Sequence, residues 1–445
     1  MPSEPTRART ERNPSLNPRN DEDWQRLLAM LPARLDALAR ESKAIVRHRR
    51  ISSASMLLRL VLIYVTCCFS LRDAASWAAR ALGVMLTDDA LGYRFAHATP
   101  FVQGIAEKML ADKLHEKPAA GVSLRILDAT MLSEPGSEGT DWRVHVTYDP
   151  ALPGAVGIEV TDAHGGEHVR HAATTARDLL MADMGLGHAS DLREAREQHV
   201  HAMLRAHLQS LAVDDLQGRR MEPNRLLRAS DAGHLDRDVL LPERDHEPTP
   251  ARLVVAPLPP EQAGRARQRL RKAASKRGRP VSTLTLRLAG YFCCITTLTT
   301  QEASAAALLT WYRVRWQVEL LFKRYRGLLH LGELTKAKPA LATLQIWGRL
   351  LVAILVEQMA AATRSAQSIG TKAPAVSLWR LDRIHQLDVV LAVYGGAPLV
   401  DRLALAEATA ERLRERPRRK RIGAEKLIET ILAVLHPPSI SPGLV

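Results

Sequence analysis

An α/β fold with helical ends is what this sequence predicts, on three observations. Apolar residues recur at helical spacing from Trp24 to about Leu114, with no alternating run among them. Short apolar or alternating runs, the mark of strands, begin at Val122–Leu127, Trp142–Tyr148 and Gly157–Val160. They return after an irregular stretch, at Thr283–Leu288 and Phe292–Thr297, and the remainder is helical.

Taken in order, residues 1–22 are rich in Arg, Pro, Asn and Ser and read as a disordered arm. Residues 23–118 form a helical N-terminal domain. Trp24, Leu27, Leu28, Leu31, Leu35 and Leu38 mark its start, Ser52–Leu71 and Ala74–Val84 continue it, and Leu86–Ala90 holds the loop and N-cap of another helix. Such a bundle suits DNA recognition, although helices that merely pack a core carry the same pattern. Residues 119–206 hold the first part of the strand-bearing core. There Val122–Leu127 ends on Asp128, two further strands complete a meander, and Leu179–Ala182 ends on Asp183. His188–Gln198 follows as a helix and Val200–Leu204 as an extended segment.

Residues 207–281 break this rhythm and read as an insertion that interrupts the core sheet. It has extended candidates such as Arg252–Val255 and a basic helix from Pro260 to about Lys276, carrying Arg265, Arg267, Arg269, Arg271, Lys272 and Lys276. The core resumes over 282–366: a capping box at Thr299–Glu302 opens a helix to about Arg326, with Gly327 as its stop. Leu344–Ala361 is nearly all apolar and should be buried. Residues 367–445 are a helical C-terminal region with a basic cluster, Arg416 to Arg421.

The 62 Lys and Arg against 48 Asp and Glu leave a net charge of +14, which favours a polyanionic partner through counterion release. The four cysteines form two adjacent pairs, Cys67-Cys68 and Cys293-Cys294, in apolar runs without zinc-ligand spacing, and read as reduced core residues. No signal peptide is expected, and the apolar stretches Met56–Leu71 and Leu350–Leu355 are too short or too interrupted by charge to span a membrane. A soluble, intracellular protein without a membrane partner is the expectation.

The richest segment is Tyr312–Arg326, YRVRWQVELLFKRYR. On an α-helical wheel, Tyr312, Arg315, Trp316, Glu319, Lys323 and Arg326 fall within an arc of roughly 100°, opposite Val314, Val318, Leu321, Leu328 and Leu329. By geometry alone Arg315 and Glu319 form an ordinary i,i+4 ion pair, worth a few tenths of a kcal/mol. Two large aromatics on the polar stripe point instead to a functional face.

This segment resembles the Tyr-x2-Arg-x3-Glu-x6-Lys motif of transposases of the insertion-sequence-four family, with Tyr312, Arg315 and Glu319 in place and Arg326 where the family has lysine. The flanking YRVRWQVELLFK also looks like the family's run, and the resemblance spans most of the chain. It implies a ribonuclease-H-like catalytic core interrupted by a β-rich insertion. It further implies that Asp128, Asp183 and Glu319 are the catalytic acids and metal ligands, holding two Mg²⁺ ions for which Mn²⁺ can substitute. DNA contacts would come from Tyr312, Arg315, Trp316, Lys323 and Arg326. The implied activity is metal-dependent cleavage and strand transfer at terminal inverted repeats, in cut-and-paste transposition, on double-stranded transposon ends and target. The acting form would be a homodimer or higher multimer in a synaptic complex.

Two positions depart from the pattern. Asp183-Met184-Gly185-Leu186 stands where the family often has Asp-Arg-Gly-Tyr, and Arg326 substitutes a planar fork for a point charge. They keep open the alternative of a degenerate or repurposed transposase that binds DNA without catalysis. A plain metal nuclease with the same core is a third option, disfavoured by the basic insertion and the long helical flanks.

Overall fold

The computed structural model describes residues 18–115, 123–335, 339–368, 377–395 and 424–435. In chain order the helices are α1 (Pro18–Leu28), α2 (Leu35–Glu41), α3 (Ala54–Thr66), α4 (Leu71–Leu82), α5 (Asp88–Ala96) and α6 (Thr99–His115). Strands β1 (Leu124–Leu132), β2 (Trp142–Asp149), β3 (Gly154–Asp162) and β4 (Leu179–Ala182) follow, then α7 (Ala189–Glu197), β5 (His201–Arg205) and α8 (Pro223–Ser230). Next come β6 (Leu235–Leu241), β7 (Thr249–Pro257), α9 (Pro260–Lys276), α10 (Thr283–Leu288) and β8 (Tyr291–Thr296). The last elements are α11 (Ala305–Trp311), α12 (Trp316–Leu329), α13 (Pro339–Ser368), α14 (Leu378–Tyr394) and α15 (Ala424–Leu435).

These divide into a helical unit, residues 18–109 with 324–395, and a strand-bearing unit, residues 110–323 with 424–435. Helices α1 to α5 therefore lie in one unit with α13 and α14, which the sequence suggests are separate domains, whereas α15 lies in the strand-bearing unit. The boundaries fall within α6 and α12.

In the helical unit α13 packs against α3, α5 and α14. A 28-residue stretch of α13 is long and apolar enough to cross a bilayer, but 83% of its apolar window is buried inside the protein. The apolar face over Leu344–Ala361 is thus a core face, and it belongs with the helical unit rather than with the sheet. Arg59, the charge that interrupts α3, is buried: its Nε donates to the Val393 carbonyl at 3.0 Å, and its guanidinium lies 5.2 Å from the Trp24 ring. Cys68 is exposed, unlike the core residue expected, because it follows the last turn of α3; Cys293 and Cys294 are buried in β8.

The arm expected over residues 1–22 lies mostly outside the described residues, and α1 already begins at Pro18. The basic cluster Arg416 to Arg421 also lies outside them.

The strand-bearing unit is built on one eight-stranded sheet, order β3-β2-β1-β4-β5-β8-β7-β6. Strands β1, β4 and β5 are parallel, and every other neighbouring pair is antiparallel. Residues 207–281 come between β5 and β8 in the chain, and these two strands are neighbours in the sheet. The segment's own strands β6 and β7 extend it, β7 pairing with β8 from Arg252↔Thr296 to Pro257↔Tyr291. The buried Arg252 ties the added strands down. It forms a two-pronged pair with Asp236 of β6, 2.7 Å on each prong, and also donates to the carbonyls of Thr299 and Ala303.

Two local expectations change. Thr283–Leu288 alternates like a strand yet is helix α10, because the Ser282 hydroxyl accepts the Thr285 N–H and caps it. The Thr299–Glu302 capping box forms, but it closes a turn; Ser304 caps α11, and the chain runs through Gly327 to Leu329 before α12 ends.

Candidate active site

Strand register brings the first two acids together. In the parallel pair β1/β4, Leu127 faces Ala182, so the next residues, Asp128 and Asp183, lie side by side at strand spacing, about 4.8 Å. In β4/β5, Ala182 faces Leu204, which sets Arg205 beside Asp183 in turn. Asp128, Asp183 and Arg205 therefore form a row across three parallel strands. Asp128 sits in the middle of β1 rather than at its end, since β1 runs on to Leu132 in pairing with β2. Asp183 follows β4 directly, and its loop turns sharply past the end of β5. A side chain at Gly187 would collide there with the backbone of Arg205 and Ala206, so only glycine fits.

The third acid arrives from α11 and α12. Between them Tyr312–Arg315 is a short 3-10 turn, in place of the continuous α-helix that the wheel assumes. With about three residues per turn, side chains at i and i+3 eclipse. Tyr312 and Arg315 consequently reach the same acid. The Tyr312 hydroxyl donates to Asp183 Oδ1 at 3.0 Å, and its ring meets Phe292 edge-on at 4.8 Å. Arg315 Nη2 lies 3.4 Å from Asp183 Oδ2. The same nitrogen donates to Glu319 Oε1 at 2.8 Å, and Nη1 donates to Asp128 Oδ2 at 2.9 Å. One guanidinium, with a side chain only 12% exposed, thus joins all three acids. The ordinary i,i+4 pair exists, but as one third of a larger cluster.

The remaining stripe residues differ in setting. Trp316 is 52% exposed and carries the Lys323 ammonium 4.5 Å from its ring centroid. Arg326 is exposed on the part of α12 that belongs to the helical unit. Val314, Val318, Leu321, Leu328 and Leu329 are all buried, as their spacing predicts.

Sequence reading missed Arg205, whose Nη1 lies 3.6 Å from Asp183 Oδ1. An arginine closing an extended run was visible, but its place in the row depends on pairing that a sequence does not display.

The electrostatics follow from burial. Asp128 is pushed up to about 6, first by burial, against the pull of Arg315 and the Ala129 N–H. Burial works against the charge of Arg315, but Asp183, Tyr312 and Asp128 outweigh it and hold the guanidinium more firmly protonated than usual. Burial and Asp183 push the Tyr312 hydroxyl well above its ordinary value, so it stays a donor.

Three carboxylates converging on one cation are the oxygen donor set that Mg²⁺ or Mn²⁺ takes. The guanidinium stands in for such a cation. No group of three His, Cys, Asp or Glu among the described residues is arranged to hold an ion. The donor set fits such an ion by its chemistry, three carboxylates meeting at one point.

The family model described as "Transposase DDE domain" matches residues 120–355. The chain is 33% identical over 347 residues to the putative transposase InsL for insertion sequence element IS186A of Escherichia coli strain K12, covering 76% of this chain and 94% of that one. The match to the transposase for insertion sequence element IS421 of Escherichia coli is likewise 33%, over 348 residues and the same shares. The transposase for IS231E of Bacillus thuringiensis subsp. finitimus is 22% identical over 369 residues, 73% of this chain and 77% of that one. Among solved structures, the piggyBac transposase synaptic complex with hairpin DNA aligns with a TM-score of 0.42 at 10% identity, over 96% of this chain and 87% of that one.

Proposed function

This chain belongs to the transposase DDE domain family, and from that premise we propose that it cuts and rejoins DNA at the terminal inverted repeats of an insertion element, by cut-and-paste transposition. The observation that carries the reading is the meeting of Asp128, Asp183 and Glu319, from β1, the end of β4 and a late helix, around one cation. That order along the chain is what a ribonuclease-H-like core of the insertion-sequence-four family would have.

On this reading Asp128, Asp183 and Glu319 hold two Mg²⁺ or Mn²⁺ ions. When bound, such ions activate the attacking hydroxyl and neutralise charge on the phosphate. The protein's own groups do the rest. Tyr312 fixes the orientation of Asp183 through its hydroxyl, a more specific role than the DNA contact that the motif implies. Arg205 shares the neutralisation of Asp183. Arg315 supplies a planar, two-pronged donor for a phosphate near the cut, and Trp316, Lys323 and Arg326 carry the strand past it. The exposed cations of α9 would bind DNA backbone farther away. The setting is the bacterial cytoplasm, and two or more copies would hold paired ends.

The test is cleavage of a labelled duplex that carries the inverted repeat flanking the coding region, in Mg²⁺, with a mobility-shift assay in parallel. Glu319→Ala should remove cleavage and leave binding close to wild type, because Glu319 acts on metal rather than on DNA sequence. Cleavage by this variant at the wild-type rate would sink the assignment. Binding by wild type without any cleavage would favour a repurposed DNA-binding protein.

A further inference from the structure

Arg315 has two roles that exclude each other. As a phosphate ligand it must face the DNA; here it is held by Asp128, Asp183 and Glu319 together. Among the described residues Asp128 and Glu319 pair with no cation but Arg315, whereas Asp183 also has Arg205. The guanidinium therefore sits on the carboxylate oxygens that a metal would need. A dication placed within a few Å of it would be repelled, and would have to displace charge-assisted hydrogen bonds of 2.8 and 2.9 Å.

Building on the proposed function, we infer that Arg315 is a displaceable counter-cation that couples metal binding to DNA binding. Without DNA it keeps the acidic cluster neutralised and closed to divalent metal. A phosphate offers the guanidinium an equivalent planar acceptor, draws it off the carboxylates and leaves them for the ions. The backbone of Arg315 is held in the 3-10 turn, while its head lies at the end of a flexible stem. Linkage then requires reciprocity: DNA raises metal affinity by the factor through which metal raises DNA affinity. Metal-loaded protein without bound DNA would then be scarce.

The test measures Mn²⁺ binding to the full chain by the electron-paramagnetic-resonance signal of free Mn²⁺. A duplex already ending at the cleavage point is present or absent, so no chemistry is read. Wild type should bind Mn²⁺ at least about tenfold more tightly with the duplex than without it. Arg315→Gln, which keeps polarity but not charge, should bind Mn²⁺ tightly without DNA and gain little when the duplex is added. Arg315→Lys should stay DNA-dependent, though less so. If wild type binds Mn²⁺ equally well with and without duplex, Arg315 is not such a gate, whatever the variants do. If neither wild type nor Arg315→Gln binds Mn²⁺ with or without the duplex, the metal reading itself falls, and the gate with it. With Mn²⁺ held by the duplex alone subtracted, an unchanged wild-type affinity sinks the gate even if the glutamine variant fails to fold, and Arg315→Lys then carries the positive test.

Discussion

Replacing Arg125 by methionine tests how the acid row is held in register. Arg125 lies on β1, three residues before Asp128, with a fully buried side chain. Its Nη1 donates to Asp149 Oδ2 at 2.5 Å and its Nε to Asp178 Oδ2 at 3.2 Å. Asp178, just before β4, also accepts the N–H of Ser123 at 3.1 Å and of Thr175 at 2.9 Å. The cluster thus ties the starts of β1 and β4 to the end of β2, one strand segment upstream of Asp128 and Asp183. Arg125→Met keeps the stem and strands two buried carboxylates, a change that typically costs about 3–5 kcal/mol. Against a usual total of about 5–15 kcal/mol, that is a large share. Burial already raises Asp149 above its ordinary value with Arg125 present; without the arginine it should rise further. A carboxyl that binds its proton more tightly in the folded state destabilises the fold as pH rises past its unfolded value. Urea unfolding followed by circular dichroism should therefore show a larger deficit at pH 8 than at pH 5, and Arg125→Met/Asp149→Asn/Asp178→Asn should recover much of it. A loss below about 1 kcal/mol, the range of an exposed ion pair, would refute the reasoning.

Two other outcomes are expected. His145 is 1% exposed and stacked on His171 at a centroid distance of 4.2 Å, and its value falls from 6.5 to about 4, first through burial and then through His171. The neutral ring favours the fold fully above pH 6.5, and up to about 3 kcal/mol should vanish as pH falls toward 4; equal acid sensitivity of His145→Gln and wild type in urea titrations would contradict this. On α9, Arg265, Arg269, Lys272 and Lys276 are exposed at i, i+4, i+7 and i+11, one stripe of a single sign. Changing all four to glutamine should lower the slope of log DNA affinity against log salt by up to about four units, while an unchanged slope would mark that face as merely solvated.

Much of the candidate cluster was legible because it is local. The Tyr312–Arg326 spacing, the apolar runs leading to Asp128 and Asp183, and the buried side of α12 are all set by near neighbours. What was not legible depends on distant pairing or on competition between short-range signals. Arg205 joins the row only through the Ala182↔Leu204 register. The insertion joins the sheet only because β7 finds β8. Thr283–Leu288 has six residues, too few for periodicity to decide, and the Ser282 cap settles it as helix. Even within the motif, a uniform helix hides the 3-10 turn that turns Tyr312 and Arg315 toward one acid.

The way β6 and β7 are attached bears on how this chain can be shortened or fused. A loop-like insertion could be excised; this one cannot. Removing residues 207–281 would strip β8 of its neighbour β7, leaving a bare strand edge open to pairing between molecules. It would also remove Arg252 from the carbonyls of Thr299 and Ala303, on the approach to α11. The place for foreign sequence is instead the hairpin tip between β6 and β7, where residues 244–248 are exposed. A reporter or targeting module grafted there would hang from a firmly anchored hairpin and leave every strand its partner.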